Sequence, residues 1–237
     1  MAEPIRLAKR VAAQAGCSRR EAELLIEGGW VKVDGQVVEE PPARVADGQR
    51  VEIDPAATPE ALAPVTLLVN KPAGTNGAQL RQLLAVANLW PEDHSGIRPR
   101  RKHFSQLEAL LPLPAPAEGL AVFSQDHRIV RKLTEDARVI EQEVIVEVAG
   151  TIAPGGLARL GHGLAWQGRP LPPVKVSWQN ETRLRFALKG IAPDDVPWMC
   201  EQVGLRVAAL KRIRIGRVPM AQLAPGQWRY LPGGERF

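Results

Sequence analysis

Cysteine is scarce: Cys17 and Cys200 are the only two in 237 residues, which allows one disulfide at most and gives no metal-ligand spacing. The four histidines, His94, His103, His127 and His162, show no paired spacing either, so the sequence assigns no metal site. Long apolar runs are missing, since none approaches the roughly 20 residues needed to cross a bilayer. The opening Met1-Ala2-Glu3-Pro4-Ile5-Arg6 lacks the apolar segment of a secretory signal. These absences argue against a disulfide scaffold, a metalloprotein and a membrane protein. A soluble cytoplasmic chain with reduced thiols is expected. Tyrosine is nearly absent too, with Tyr230 alone.

What is present suits a small module joined to a larger one, because 237 residues with 45% hydrophobic content can bury a sizeable core. The formal charge of +5 and a pI near 9.6 favour polyanionic partners, without singling one out.

From Ile5 to Ala15, Leu7, Val11 and Ala12 recur at helical spacing while Arg6, Lys9 and Arg10 occupy other faces, which predicts a short basic amphipathic helix. Gly16 can end it. Ser18 can cap a second helix, with Glu21 completing a capping box ahead of Ala22, Leu24, Leu25 and Ile26. Arg19 and Arg20 then sit in a first helical turn, where the dipole gives a cation no structural advantage, and this points to phosphate binding. Val31-Lys32-Val33-Asp34-Gly35-Gln36-Val37-Val38 reads as a hairpin with an Asp-Gly turn, and a last short strand spans Arg50 to Ile53. Helix, Ser-Arg-Arg-Glu-Ala helix, hairpin and the run Val45-Ala46-Asp47-Gly48-Gln49-Arg50-Val51 together resemble the S-four type RNA-binding domain, over residues 5–54. The resemblance implies that Arg6, Lys9, Arg10, Ser18, Arg19, Arg20 and Lys32 hold structured RNA; the bland alternative is solvated charge balanced by Glu21, Glu23 and Glu27.

A Pro/Ala-rich stretch at 55–64 reads as a semi-rigid linker. Beyond it, Val65–Val69, Gly119–Phe123 and Glu143–Val148 are strand candidates, with short helices between them and no regular βαβ repeat. An α+β domain on a mixed or antiparallel sheet is expected at 65–237, after a module at 1–54.

The order of these segments resembles the RsuA/RluF type of ribosomal RNA pseudouridine synthase. Asn70-Lys71-Pro72-Ala73-Gly74 matches that family's "NKPxG", and Glu118-Gly119-Leu120 followed by Ser124-Gln125-Asp126 matches "EGLLLLTND". Glu143-Val144-Ile145-Val146 falls on "KEYLV". Met199-Cys200-Glu201, Leu210-Lys211-Arg212-Ile213-Arg214-Ile215-Gly216 and Pro225-Gly226-Gln227-Trp228-Arg229-Tyr230-Leu231 fall on "RRMCE", "LxRxxIG" and "GEWRxL". The family isomerises uridine in RNA without cofactor or metal: the base is detached, turned and rejoined through carbon. This requires an aspartate in "GRLD", a tyrosine for the flipped base to stack on, and a basic residue to hold the carboxylate.

Each of those positions departs from the pattern. "GRLDxDTEGL" falls on Leu111 to Leu120, so the aspartate position is Pro114 and the acidic position two residues on is Pro116. Proline supplies neither carboxylate nor nucleophile. The tyrosine position is Val144, and "NRQIRRM" falls on Pro193-Asp194-Asp195-Val196-Pro197-Trp198-Met199, reversing the local charge. Glu108, Glu118 and Asp126 are the carboxylates that could substitute. The expectation is an RNA-binding protein of this family, acting on structured ribosomal RNA, with catalysis lost. An active synthase using a displaced carboxylate, or an RNA chaperone or ribosome-assembly factor, are the alternatives.

Two further basic stretches carry open readings. Arg98-Pro99-Arg100-Arg101-Lys102-His103 is either a solvated loop or an added RNA-backbone contact through Arg100, Arg101 and Lys102. Lys211, Arg212, Arg214 and Arg217 alternate with Ile213 and Ile215, as on a strand with one charged and one buried face. Lys71 is read as an RNA contact. Trp166, Trp178 and Trp198 are read as core.

Overall fold

The computed structural model describes residues 3–237, and the chain divides into two compact units. The first comprises the chain up to Pro64 together with Arg98–Gln106, and the second Val65–Ile97 with Leu107–Phe237. The segment 98–106, expected in the larger domain, thus groups with the first unit.

In the first unit the helix Leu7–Ala15 begins two residues later than the periodicity predicts. Ile5–Arg6 instead pairs antiparallel with Arg44–Val45, and the Leu7 N–H, which has no acceptor within the helix, donates to the Ala43 carbonyl at 2.7 Å. The second helix, Arg19–Glu27, carries the expected capping box: the Glu21 N–H donates to Ser18 Oγ at 3.2 Å, and the Ser18 N–H to Glu21 Oε2 at 2.8 Å. Val31–Val33 and Gln36–Val37 form the hairpin, and Val51–Ile53 pairs antiparallel with the first of these strands. The Asp34 carboxylate at the turn accepts from the Gln49 side chain at 2.8 Å and the Arg50 N–H at 2.9 Å, which ties the hairpin to the third strand. Leu7, Val11, Ala22, Ile26, Val31 and Val45 close the core. Burying side chains of this size is what holds so small a unit together, at about 1.5–3 kcal/mol each.

The second unit is built on one nine-stranded sheet. Its strands run in the order Lys175–Asn180, Arg183–Leu188, Gln142–Gly150, Leu205–Ile215, Glu118–Ser124, Thr66–Lys71 and Trp228–Tyr230, with Glu108–Leu110 and Val218–Pro219 paired beside them. Only Leu205–Ile215 against Glu118–Ser124 is parallel. With helices including His127–Glu135 and Val196–Glu201, this is the mixed-sheet α+β class expected. Thr66–Lys71 is buried along its whole length, as a continuous apolar run followed by Asn-Lys requires of a strand covered on both faces. Val144, Val146, Leu184, Phe186, Met199 and Leu210 belong to one apolar cluster. Leu68, Leu120, Val122, Leu133 and Ile215 belong to another. Tyr230 is 1% exposed and packs edge-on to Trp228 at 5.2 Å, so the lone tyrosine is a core residue. Among the described residues no helix is long and apolar enough to cross a membrane.

Candidate functional site

Of the basic residues expected to hold RNA, the first unit brings Arg6, Lys9 and Arg19 together around an open depression of about 370 Å³, and adds Arg44. Arg6 and Arg44 are direct cross-strand partners. That register, invisible before the strand pairing is known, is why Arg44 escaped the sequence reading. Glu3 lines the same depression and lies 3.6 Å from Arg44, an exposed pair that contributes roughly 0–1 kcal/mol. Arg19 and Arg20 both approach Glu23, at 3.3 and 3.5 Å, but about two thirds of each arginine side chain is exposed. Such surface pairs contribute roughly 0–1 kcal/mol and give way readily to a phosphate. Arg10 and Lys32 lie outside the residues that line the depression.

The run at 98–103 is neither a free loop nor a free cationic patch. Arg100 lies 3.6 Å from Glu39, Arg101 2.7 Å from Glu40 and Lys102 2.7 Å from Glu27. Each of these charges therefore has a glutamate of the first unit beside it; the Arg101 pair is as exposed as those of Arg19 and Arg20, whereas Arg100 is largely covered.

In the second unit two buried cations hold segment 111–117, where the "GRLD" pattern is expected to fall. Lys71 is 2% exposed; its ammonium donates to the carbonyls of Ala117, Ala115 and Pro72 at 2.6, 2.9 and 3.2 Å. Three carbonyls saturate its three N–H groups, so Lys71 is a loop support and not an RNA contact. Burial pushes its pKa down, opposed by Glu118. Arg212 is fully buried, which corrects the picture of the 211–217 stretch as one charged surface face. Its guanidinium donates to the Leu120 carbonyl at 2.8 Å, Gln142 Oε1 at 2.7 Å and the Leu111 carbonyl at 2.7 Å. Burial pushes its pKa down and the Asp194 carboxylate pulls it up. Gly119 must be glycine here: φ is +106°, and a Cβ would sit 2.2 Å from the Arg212 carbonyl oxygen.

This support holds a loop with no carboxylate in it. Pro112, Pro114 and Pro116 alternate along the segment, and the Pro114 carbonyl accepts from the Ala117 N–H at 3.1 Å. Val144 is fully buried and belongs to the same apolar cluster as Ala117, Val196 and Met199, with Leu113 packed against it. The three regions that the resemblance ties to catalysis do converge, but apolar surface is what meets there.

Beside that cluster lies an open cavity of about 580 Å³. Leu111, Gln142 and Asp195 line it from those same three regions, joined by Arg138, Trp166 and Arg169. Ala165–Trp166 and Arg169–Pro170 form a tight hairpin in which Trp166 is the direct partner of Arg169. Gln167 and Gly168 at its turn both have positive φ, 50° and 78°, the geometry that matches strand twist in a two-residue loop. Trp166 is 49% exposed and is held edge-to-face by Trp198, 4.7 Å away at 87°. Its assignment to the core is thereby corrected, as is that of Trp178, 37% exposed. Neither the Arg138 nor the Arg169 side chain has a hydrogen bond or ion pair among the described residues. Asp195 accepts from the Ala192 N–H at 3.2 Å. Burial, and then Asp195, raise the pKa of neighbouring Asp194, against the pull of Arg212.

None of the three candidate substitute carboxylates lines this cavity. Glu108 is exposed on a short strand, Glu118 pairs with Lys211 at 3.1 Å, and Asp126 caps the helix His127–Glu135 by accepting from the Arg128 N–H at 2.8 Å. The carboxylate that reaches the cavity is Asp195. Of the remaining basic residues at 211–217, Arg214 is paired to Glu141 at 2.5 Å and to Glu143 at 2.9 Å.

Residues 5–51 match the family model of the S4 domain. An uncharacterized RNA pseudouridine synthase of Aquifex aeolicus is 28% identical over 234 residues, spanning 98% of this chain and 94% of its own. One from Mycobacterium bovis is 30% identical over 259 residues, spanning 99% and 96%. The dual-specificity RNA pseudouridine synthase RluF of Salmonella typhi is 26% identical, spanning 97% of this chain and 76% of its own. A crystal structure of a pseudouridylate synthase has the same fold, with a TM-score of 0.58, 20% identity and 96% of each chain covered.

Proposed function

The chain belongs to the RNA pseudouridine synthase family, and from that premise we propose that it binds structured ribosomal RNA in the cytoplasm without isomerising uridine. The observation that carries this reading is the supported but carboxylate-free loop: Lys71 and Arg212 hold segment 111–117 by its carbonyls, and Pro114 stands where the reaction needs an aspartate. A nucleophile or base cannot be recovered from a proline ring, and Val144 offers no ring for a flipped base to stack on. The RNA-binding half rests on the depression lined by Arg6, Lys9, Arg19 and Arg44, where closely spaced cations gain from a phosphate backbone. A role in ribosome assembly fits the same features.

Mapping pseudouridine across ribosomal RNA from cells with and without the gene tests the loss of chemistry; no site is expected to disappear on deletion. Affinity for a ribosomal RNA fragment is expected to fall on Arg19→Ala with Arg20→Ala, and its dependence on salt to become shallower. A second reading, an active isomerase, is favoured only by the presence of Asp195 in the cavity. A pseudouridine that vanishes with the gene and is not restored by Asp195→Asn would establish it.

A further inference from the structure

We propose that the strand Lys175–Asn180 pairs antiparallel with the same strand of a second copy of this chain, joining two nine-stranded sheets edge to edge. The two edges of the sheet differ. At one, the strand Trp228–Tyr230 is closed off: the Trp228 carbonyl accepts from the Trp90 N–H at 2.8 Å, and the Tyr230 N–H donates to Asp93 Oδ2 at 2.8 Å. At the other, Lys175–Asn180 pairs only with Arg183–Leu188, and it is exposed along most of its length.

The ladder determines which backbone groups are open. The Val148 N–H donates to the Thr182 carbonyl. Alternation along an antiparallel pair then turns Leu184 and Phe186 toward Gln142–Gly150, and Arg185 and Ala187 toward Lys175–Asn180. Their partners Ser177 and Lys175 bond inward, so Val176 and Trp178 present their N–H and carbonyl groups outward. On the same side, the Val174 N–H already turns outward to the Gly161 carbonyl at 2.9 Å. Among the described residues nothing takes the outward groups of Val176 and Trp178. An open row of this kind is a template for another strand.

The side chains favour a second copy as that strand. Val176 and Trp178 stand opposite Phe186 and Leu184, and Val176 packs against the apolar cluster that contains both of those residues. Trp178 extends the same layer past the edge and is left 37% exposed. A two-fold axis through Ser177 puts Val176 of one copy opposite Trp178 of the other, twice, an aromatic and β-branched pair of the kind that stabilises sheets. It also sets Lys175 opposite Gln179 and diagonal to Glu181, so that no like charges face each other. Neither Lys175 nor Glu181 has an ion pair among the described residues. The register shift between Trp178 and Asn180 confines the regular run to Lys175–Trp178, so the contact is small and association falls at about 10 µM.

Sedimentation velocity of the nuclease-treated full chain from about 1 to about 200 µM is expected to show monomer passing to dimer. Trp178→Lys puts a charge on the edge and is expected to weaken association about tenfold, with the circular dichroism of the parent. Lys175→Glu is expected to weaken it about threefold, and Lys175→Glu with Glu181→Lys to restore it. In a chain carrying Cys17→Ser, Ser177→Cys is expected to form an intermolecular disulfide on mild oxidation, because the two copies of residue 177 meet as a non-hydrogen-bonded pair about 4.5 Å apart at Cα. Gln179→Cys, which faces Lys175, is expected not to. A chain that stays monomeric throughout this range, a dimer untouched by Trp178→Lys, or cross-linking through Gln179→Cys and not Ser177→Cys overturns the proposal. Dimerisation seen only before nuclease treatment is held by RNA and overturns it too. A monomer whose Val176 and Trp178 amides gain protection from hydrogen exchange only when another protein is added makes that protein the occupant, and the pairing of two copies falls.

Discussion

Replacing Arg212 with methionine removes the guanidinium while keeping most of the side-chain volume. Three acceptors then lose their donor: the Leu120 carbonyl, the Leu111 carbonyl and Gln142 Oε1, now bonded at 2.7–2.8 Å. A buried acceptor left without a partner costs about 1–3 kcal/mol. Leu111 and Gln142 both line the open cavity, so water can reach their oxygens, whereas Leu120 is fully buried. One acceptor at full cost and two partly resolvated give about 2–4 kcal/mol of destabilisation, reduced by the apolar gain of methionine to about 2 kcal/mol. In a unit of this size that lowers the melting temperature by about 4–8 °C. Urea unfolding followed by tryptophan fluorescence reports on the right part of the chain, because every tryptophan except Trp30 lies in the second unit. Arg212→Lys should be nearly as costly, since one ammonium cannot reproduce a planar fork that reaches three acceptors. A loss below about 1 kcal/mol for Arg212→Met would refute the view that this guanidinium holds the loop.

Gly119→Ala is expected to abolish accumulation of folded protein, because the new Cβ meets the Arg212 backbone at 2.2 Å and φ is +106°; soluble yield and circular dichroism check this. Pro114→Asp alone is expected to produce no pseudouridine in ribosomal RNA incubated with the protein, as measured by mass spectrometry of the nucleosides, because Val144 and Asp194-Asp195 still occupy the other two positions. Glu143 sits between Arg185 and Arg214, which lower its pKa below the ordinary 4.5. Its ion pairs therefore stabilise the fold above that value and are lost as pH falls through the lowered one. Glu143→Gln should be less stable than the parent at pH 7, with the difference closing in acid below pH 4.5; a gap in urea midpoint that stays constant down to pH 3 would contradict this.

The N-terminal module was legible because its signals are local. The Ser18 and Glu21 capping box, the Asp34-Gly35 turn and the spacing of Leu7 and Val11 each act within four residues, and each formed as expected. The place where the helix Leu7–Ala15 starts was not legible, because it depends on pairing with Arg44–Val45, forty residues away. The same limit applies to the basic residues. A run such as Arg100-Arg101-Lys102 looks free until Glu27, Glu39 and Glu40 are brought to it. Arg212 looks like its neighbours until three acceptors from three segments surround it. Trp166 offered one usable hint, since Gln167-Gly168 between Trp166 and Arg169 suits a two-residue hairpin turn, but its place in a cavity is set by Trp198 and the loop after Gly190.

The acidic pair at 194–195 follows from the same balance of charge. A buried guanidinium requires acceptors and benefits from a counter-charge. With Pro114 in place of an aspartate, the loop that Arg212 supports provides carbonyls and no anion. The anion that raises the Arg212 pKa is Asp194, supplied from the segment where the family pattern carries cations. A cation there would face Arg212 with nothing to neutralise either charge. On the reading proposed above, a loop without a carboxylate and an acidic pair at 194–195 belong to one electrostatic arrangement around Arg212. Arg212 acts to lower the Asp194 pKa, while burial and Asp195 raise it. Taking the guanidinium away with Arg212→Met should move the Asp194 titration, followed by carboxyl-detected NMR, further upward. A midpoint that does not move would show that the two charges are not coupled and that the acidic pair needs another explanation.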